Sequence, residues 1–322
     1  MATVPHELIA AIVDELEDDR ESLKACSMVA TAFCPPSQRH LFRSMWLHRA
    51  NWQFYTVAQQ APHRGTSIPS GTIRRVSSLL SESPHLAIYV RDLTIDLPDS
   101  ADEDVPLEQI LQAVLNLERF VISGLFVRWG DLPLPLASAI LDIFARPALE
   151  RLHLLNMQGV PAPAVLRVLS FVRVLSIDHT TFAEEDEGSS ESAWPLSAPR
   201  LHHLILSTSI PPTYALMLSP RAPRLTHLKK VLLRVDISAR PHAERLLSSI
   251  ADTLEELELD CGDLSSPLHL PNLPNLRSLT LRIFRGLARH LPNGFAQTLS
   301  ALPRIAALTL IFAIQTRLVE GM

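Results

Sequence analysis

Histidine and cysteine are the residues of this chain best suited to bind a metal ion or to act as a nucleophile. The sequence has thirteen histidines and three cysteines, but no H-E-x-x-H motif and no Cys/His quartet with zinc-site spacing. His202 and His203 are adjacent, so on a strand they point to opposite faces and do not bind one ion together. Cys26 falls on an apolar helical series and is interpreted as a packing residue. We therefore predict no metal site.

Motifs of nucleophilic and nucleotide chemistry are also missing from the sequence. It contains no G-x-S-x-G, no Walker A motif and no G-x-G-x-x-G, and only 10 of its 322 residues are glycine. We predict that the protein is not an enzyme, has no catalytic residues and needs no cofactor. A hydrolase whose catalytic residues are distant in sequence is the least favoured alternative.

The charge balance disfavours two classes of partner. The chain has 29 Lys and Arg against 34 Asp and Glu, a formal net charge of -5. Nucleic-acid and lipid-surface binders concentrate positive charge, so we expect neither a nucleic acid nor a membrane as partner. The N-terminus does not resemble a signal peptide, and no apolar run is long enough to span a bilayer. These features predict a cytoplasmic or nuclear protein.

The first 47 residues have the apolar spacing of short helices. One broad helical face consists of Leu8, Ile9, Ile12, Val13 and Leu16. A second series with the same period ends before two prolines and consists of Leu23, Cys26, Val29, Ala30 and Phe33. A third helix is predicted over residues 37–46. Helices this short bury little apolar surface by themselves, so we expect them to pack against something else.

Leucine makes up 55 of the 322 residues of the whole chain. After residue 47, a short apolar pattern repeats. The pattern is L-x-x-L-x-L with conservative replacements, and it occurs nine times at a mean spacing of about 27 residues. The occurrences are Val90/Leu93/Ile95, Leu117/Phe120/Ile122, Leu149/Leu152/Leu154, Val172/Leu175/Ile177, Leu201/Leu204/Leu206, Leu228/Val231/Leu233, Leu254/Leu257/Leu259, Leu276/Leu279/Leu281 and Ile305/Leu308/Leu310. Because alternating apolar residues share one face of a strand, each L-x-L predicts a short strand.

Helical segments alternate with these strands and are predicted over residues 107–117, 136–144, 163–171 and 243–250. Strand and helix in alternation give a parallel sheet, and stacking lets each repeat bury a face that it could not bury alone. Acidic stretches at 99–104 and 184–191 are interpreted as solvated loops. The predicted fold class is an α/β repeat, an irregular solenoid with parallel strands on the concave side and helices on the convex side.

The repeats resemble leucine-rich repeats, and the resemblance covers residues 86–314. The Asn or Cys that this family places after the strand is replaced by Leu125, Met157, Gly262 and Phe284, so the resemblance implies an irregular solenoid. We predict a three-helix module at residues 1–47, a helical linker at 48–85 and a leucine-rich-repeat-like solenoid at 86–322.

The N-terminal module resembles an F-box. Residues 4–9 (VPHELI) are similar to the LPxEL opening of that family, residues 23–29 (LKACSMV) are similar to its LxxCxxV, and Phe33 stands where the family usually has Trp. Residues 79–93 also resemble the junction into the repeats in F-box-like proteins of mushroom-forming fungi.

This resemblance implies a partner and a docking surface. In the F-box family the helices dock on the Skp adaptor of a cullin-RING ubiquitin ligase, and the C-terminal repeats hold a protein substrate. Carried over by position, the docking residues are Pro5, Leu8, Ile9, Ile12, Leu16, Leu23, Cys26, Val29 and Phe33. In the alternative interpretation, the same residues only pack the three helices against the solenoid.

A candidate substrate surface lies on the solvent face of the predicted sheet. Alternation along the strands places there Ile205, Lys230, Leu232, Arg234, Glu256, Glu258 and Asp260. We expect Ile205 and Leu232 to be exposed apolar anchors ringed by charge. Because neighbouring strands are about 4.8 Å apart, Lys230 with Glu256 and Arg234 with Asp260 can instead simply pair across the sheet.

Two functions from different classes are therefore predicted. The favoured one is the substrate-recognition subunit of an SCF-type cullin-RING ubiquitin ligase, whose F-box binds the Skp adaptor and whose repeats bind a protein substrate. The alternative is a stand-alone leucine-rich-repeat interaction scaffold with an N-terminal helical cap. Exposure of Pro5, Leu8 and Ile12 is the structural feature that favours the first.

Overall fold

The structure, a computed structural model, describes residues 4–47, 67–68, 72–97, 103–124, 127–183, 200–207, 211–235, 238–261, 269–285 and 305–314. The chain divides into two compact units. Unit 1 comprises residues 1–127 and 131–149, and unit 2 comprises residues 128–130 and 150–322. The domain boundaries placed after residues 47 and 85 stay predictions. Within the described ranges, no helix has both the length and the apolar character needed to cross a membrane.

Three short helices open unit 1, namely α1 (His6–Asp14), α2 (Arg20–Val29) and α3 (Cys34–Leu41). The Asp19 carboxylate caps α2 by accepting hydrogen bonds from the Ser22 N–H at 3.1 Å and from the Ser22 hydroxyl at 2.6 Å. Pro35 and Pro36 occupy the first turn of α3, where a missing N–H costs no intrahelical bond. The first two predicted helices are present, although α2 ends at Val29, before Ala30 and Phe33 of the predicted series.

The third helix, predicted over residues 37–46, is wrong in its second half. After α3 the chain forms the strand β1 (Ser44–Leu47), in which Met45 is 2% and Leu47 is 0% exposed. This strand pairs in parallel with β3 (Asp92–Asp96) and aligns Met45 with Leu93. Sheet pairing buries both apolar side chains on one face, so tertiary packing overrides the helical spacing here.

The parallel sheet of unit 1 contains, in order, β2 (Ser67–Ile68), β1, β3 and β4 (Arg119–Ser123). Its other helices are α4 (Thr72–Glu82), α5 (Asp104–Ala113) and α6 (Leu134–Phe144), and a 3-10 helix spans Pro84–Tyr89. Phe120 on β4 is completely buried and meets Phe144 of α6 edge to face, with ring centroids 6.3 Å apart. The core of unit 1 therefore lies between the sheet and its helices.

The parallel sheet of unit 2 contains, in order, β5 (Arg151–Leu155), β7 (Val174–Asp178), β9 (His203–Leu206), β10 (Lys230–Val235), β11 (Glu256–Cys261), β12 (Ser278–Arg285) and β13 (Ala307–Ile314). A separate parallel pair joins β6 (Val160–Pro161) to β8 (Phe182–Ala183). The described helices of this unit are α7 (Ala162–Val168), α8 (Pro211–Met217) and α9 (Arg240–Ser249).

Burial confirms the strand register that the repeat predicts. In eight of the nine L-x-x-L-x-L occurrences, all three apolar residues are 3% exposed or less. The ninth is wrong in burial although its strand is present, because Leu308 and Leu310 on β13 are 46% and 39% exposed. β13 is the edge strand of the sheet among the described residues.

The coarse fold class, parallel strands alternating with helices, is confirmed, and it is consistent with an α/β repeat. The four predicted inter-strand helices correspond to α5, α6, α7 and α9, with ends shifted by a few residues. The acidic stretch at 184–191 lies outside the described residues, as does most of the one at 99–104. The assignment of strands to a concave side and helices to a convex side stays a prediction.

Candidate functional site: an exposed helix face and a charged sheet face

Helix α1 is apolar on two sides. Ile9 and Val13 are 5% and 0% exposed and pack inward. Leu8 and Ile12 stand four residues apart, so they line up along the helix, and Val4 lies just before its N-cap residue Pro5; each of the three remains more than half exposed. We call these three residues the α1 stripe. A helix that packs through one apolar face while presenting another to solvent has surface available for a partner.

A carboxylate at the end of α1 fixes this orientation. Asp14 accepts hydrogen bonds from Arg39 Nη2 at 2.5 Å and from His40 Nε2 at 2.7 Å, which ties α1 to α3. The hydrogen bond from His40, together with the one from Arg39, lowers the pKa of Asp14. The attachment keeps Ile9 and Val13 turned inward, and the α1 stripe consequently faces outward.

The nine docking residues predicted from the sequence do not share one environment. The exposed ones are Pro5, Leu8, Ile12 and Val29, the half-buried ones are Leu16, Cys26 and Phe33, and the buried ones are Ile9 and Leu23. The docking residues predicted from the sequence did not include Val4, nor Met28, which is 80% exposed beside Val29 at the end of α2. The signal was available, because Met28 stands inside the matched LKACSMV run.

The predicted substrate residues all lie on β9, β10 and β11 of unit 2. The register aligns Lys230 with Glu256, Leu232 with Glu258 and Arg234 with Asp260, so the predicted cross-strand neighbours are correct. Lys230 Nζ lies 2.9 Å from Glu256 Oε2. These contacts favour the structural interpretation of the charges, in which neighbouring strands neutralise each other.

Glu258 and Asp260, further along β11, are half-buried, whereas Glu256 is exposed. Glu258 pairs with Arg282 of β12 rather than with β10. Burial raises the pKa of Asp260, while the nearby Arg234 and Arg282 guanidinium groups oppose that rise. Burial likewise raises the pKa of Asp178 on β7, against the charges of His179 and Arg234.

Ile205 and Leu232 are aligned neighbours on β9 and β10, and the same row continues with Glu258 on β11. They are half-buried rather than exposed, so the sequence-based expectation is corrected. The sheet face therefore presents a narrow apolar pair with Lys230 and Arg234 before and after it on β10 and Glu258 beside it on β11.

His203 begins this face, aligned with Lys230. Burial, followed by the positive charge of Lys230, lowers the pKa of His203 to about 4, against 6.5 in an exposed chain. Between those values the unfolded chain takes up a proton that the folded chain does not. Stability is therefore expected to fall as the pH drops through this window.

The His203→Gln variant is expected to lose this acid sensitivity. Asp178 and Asp260 titrate in both proteins, so their contributions cancel in the comparison. Urea melts at about pH 7 and about pH 4.5 would show the difference in unfolding free energy moving in favour of the variant at the lower pH. A difference that stays constant across this range would contradict the burial of a neutral His203.

Within the described residues, no three or more His, Cys, Asp or Glu side chains are grouped closely enough to hold a metal ion.

Comparison with known proteins gives little. No family model matches the chain, and no curated protein matches it. Among solved structures, the chain is similar to one described as "Crystal structure of Rad7 and Elc1 complex in yeast", at 13% identity and a TM-score of 0.27, covering 100% of this chain and 98% of that one. A TM-score of 0.27 does not establish a common fold.

Proposed function

We propose that the protein is the substrate-recognition subunit of an SCF-type cullin-RING ubiquitin ligase, with its N-terminal helices acting as an F-box that binds a Skp-type adaptor. The observation that supports this most is the α1 stripe. Leu8 and Ile12 are 56% and 54% exposed on one side of a helix that is held in place by its other side, and Val4, just before this helix, is 57% exposed.

The energetics favour a partner over a merely exposed surface. Burying a leucine or isoleucine side chain completely is worth about 1.5 to 3 kcal/mol. Each of the three stripe residues is more than half exposed, so a partner that covers them gains part of this free energy. Met28 and Val29 add a second exposed apolar segment at the end of α2. An apolar helix face with regularly spaced anchors is the kind of surface that helix-binding partners recognise.

In the proposed assembly, unit 2 presents the protein substrate. The residues proposed to contact it are Ile205, Lys230, Leu232, Arg234, Glu256, Glu258 and Asp260. The apolar pair Ile205 and Leu232 would supply contact area, and the charged residues around it would select partners by complementarity. Cytoplasmic or nuclear localisation and the absence of catalysis belong to the same proposal.

A stand-alone scaffold with a helical cap is the second candidate, and one observation favours it. β1 joins the helical segment directly to the strand β3, since Arg43 accepts backbone hydrogen bonds from Arg91 and Asp92 at 2.9 and 3.0 Å. Helices joined to a sheet in this way are what a terminal cap requires. This attachment leaves the exposure of the α1 stripe unexplained.

The Leu8→Ala, Ile12→Ala double variant separates the two candidates. It is expected to weaken binding to a purified Skp-type adaptor by at least about tenfold, because truncating two central anchors removes about 1.4 kcal/mol or more of binding free energy. Since both side chains are more than half exposed, the melting temperature should change little.

Leu134→Ala provides the matched control. Leu134 is an apolar helical residue of unit 1 that is 85% exposed and lies on α6, outside the α1 stripe. Adaptor affinity of this variant should equal that of the wild type. The F-box assignment fails if the double variant binds the adaptor as tightly as the control does.

A further inference from the structure

The sheet of unit 2 ends in a strand of eight residues that is paired on one side. β13 runs parallel to β12 along its full length and is the edge strand of the sheet among the described residues. In a strand paired on one side, the N–H and C=O groups of alternate residues point away from the sheet. Such groups are a template on which another strand can form a ladder.

Both faces of β13 are open as well. Leu308 and Leu310 lie on the face that is buried in the other repeats, yet both are exposed. Ile311 lies on the opposite face and is 40% exposed. The aligned neighbours of the two leucines on β12, Leu279 and Leu281, are buried. Exposure of the apolar positions of the repeat therefore begins at the edge strand itself.

β13 lacks the features that usually keep edge strands apart. Natural edges are protected by lysines and other charges, by prolines, by bulges or by shortness of the strand. Residues 305–316 (IAALTLIFAIQT) contain no charged residue and no proline, and the pairing with β12 is continuous over eight residues. Inner strands of the same sheet are charged, since β10 carries Lys230 and Arg234 and β12 carries Arg282 and Arg285. The edge strand is thus left open to pairing.

The lack of charge also indicates which partner fits. When two copies of one strand pair antiparallel about a two-fold axis, a residue close to the axis lies beside its own equivalent or a near neighbour. A charge there would face a like charge, which is destabilising at directly opposite positions. β13 has no such conflict, and its apolar residues would gain apolar cross-strand neighbours on both faces. The strand is therefore complementary to itself.

We propose that β13 is a self-association surface, through which a second copy of this chain pairs antiparallel, edge to edge. In the resulting sheet, Leu308 and Leu310 pack against apolar side chains of the second copy on one face, and Ile311 does so on the other. Because both copies use the same patch, the contact closes at two copies and the product is a dimer. β13 belongs to unit 2 and the α1 stripe to unit 1, so this proposal does not depend on the F-box assignment.

Two opposite charges introduced at one residue of the full chain test this pairing. The wild type should be a dimer that dissociates on dilution, as measured by sedimentation velocity over about a hundredfold range of concentration. Ile311 stands at the middle of β13, close to the two-fold axis. Ile311→Lys and Ile311→Asp should each weaken self-association by at least about tenfold, because like charges then meet. An equimolar mixture of the two variants should dimerise again, because opposite charges then meet.

Circular dichroism should show the wild-type fold in both variants, because Ile311 is exposed. If either variant fails to fold, Thr309→Lys and Thr309→Asp provide the same test, since Thr309 is exposed two residues earlier on the same face. Leu134→Lys is the matched control. It places a charge on an exposed apolar residue of α6 in unit 1 and should leave the dimer unchanged.

Three results would overturn the proposal. They are a wild-type chain that stays monomeric or grows beyond a dimer, a dimer that persists in either charged variant, and a mixture of the two variants that stays monomeric. Adaptor affinity should be the same for Ile311→Lys and the wild type, whereas the Leu8→Ala, Ile12→Ala variant should still dimerise. Failure of this proposal is therefore distinguishable from failure of the F-box proposal.

Discussion

Replacing Leu257 with alanine is expected to lower the free energy of unfolding by about 2 to 5 kcal/mol. Leu257 is 2% exposed near the start of β11 and is aligned with Val231 on one side and Leu279 on the other. Truncation would leave a cavity bounded by two strands whose positions are fixed by backbone pairing, so the surroundings have little freedom to collapse into it. Denaturant melts followed by circular dichroism would measure the loss.

Glu256→Ala is the control on the same strand. The Glu256 side chain is 52% exposed and makes a surface pair with Lys230, so its removal should change stability by no more than about 0.5 kcal/mol. Glu258, one residue beyond Leu257, is unsuitable, because its carboxylate is only 18% exposed and pairs with Arg282. Equal losses for Leu257→Ala and Glu256→Ala would contradict the register of β11.

Phe120→Ala should be the most damaging single truncation in unit 1, at about 3 to 5 kcal/mol. Phe120 is among the largest completely buried side chains, and its edge-to-face contact with Phe144 adds to the loss of apolar burial. Removing the ring would leave the inner face of α6 without its partner on β4. A thermal melt monitored by near-ultraviolet circular dichroism would report both the lower stability and the looser aromatic packing.

Leu134→Ala, on the same helix as Phe144, serves as the comparison for this variant. Leu134 is 85% exposed, so a change of more than about 0.5 kcal/mol is not expected. If Phe120→Ala proved as mild as Leu134→Ala, the packing of α6 on the sheet would be incorrect.

The strands were the most predictable part of the fold. At Leu204/Leu206 or Leu279/Leu281 an alternating apolar pair also has a third apolar residue three positions upstream, and this spacing recurs too regularly to arise from a helix. Burial on one face enforces that register, since a slip of one residue would expose every such side chain. The pattern therefore predicted both the positions of the strands and their parallel order.

The first strand was missed for an identifiable reason. Phe42, Met45 and Leu47 have the same spacing as Val90, Leu93 and Ile95, yet they follow directly on a helical segment, and their positions also fit a helix. Only pairing with β3, which lies more than 40 residues away in sequence, decides between the two. A local sequence pattern does not predict non-local contacts of this kind.

Site prediction was limited in the same way. The sequence identified the apolar residues of α1, but it did not distinguish Ile9, which is 5% exposed, from its neighbour Leu8, which is 56% exposed. Which side of the helix stays accessible depends on its attachment to α3 through Asp14. On the sheet, alternation placed Ile205 and Leu232 on the solvent face, but it did not predict that both side chains are half-buried.

Titration calorimetry of the purified chain against a purified Skp-type adaptor tests the central proposal most directly. We expect one-to-one binding with a dissociation constant of about 1 μM or tighter and a negative heat-capacity change, because the association buries the apolar α1 stripe. The Leu8→Ala, Ile12→Ala variant should lose most of both signals, while Leu134→Ala keeps them. A folded wild-type chain that gives no binding heat at several temperatures and does not co-elute with the adaptor would contradict the assignment and leave the helices as a cap.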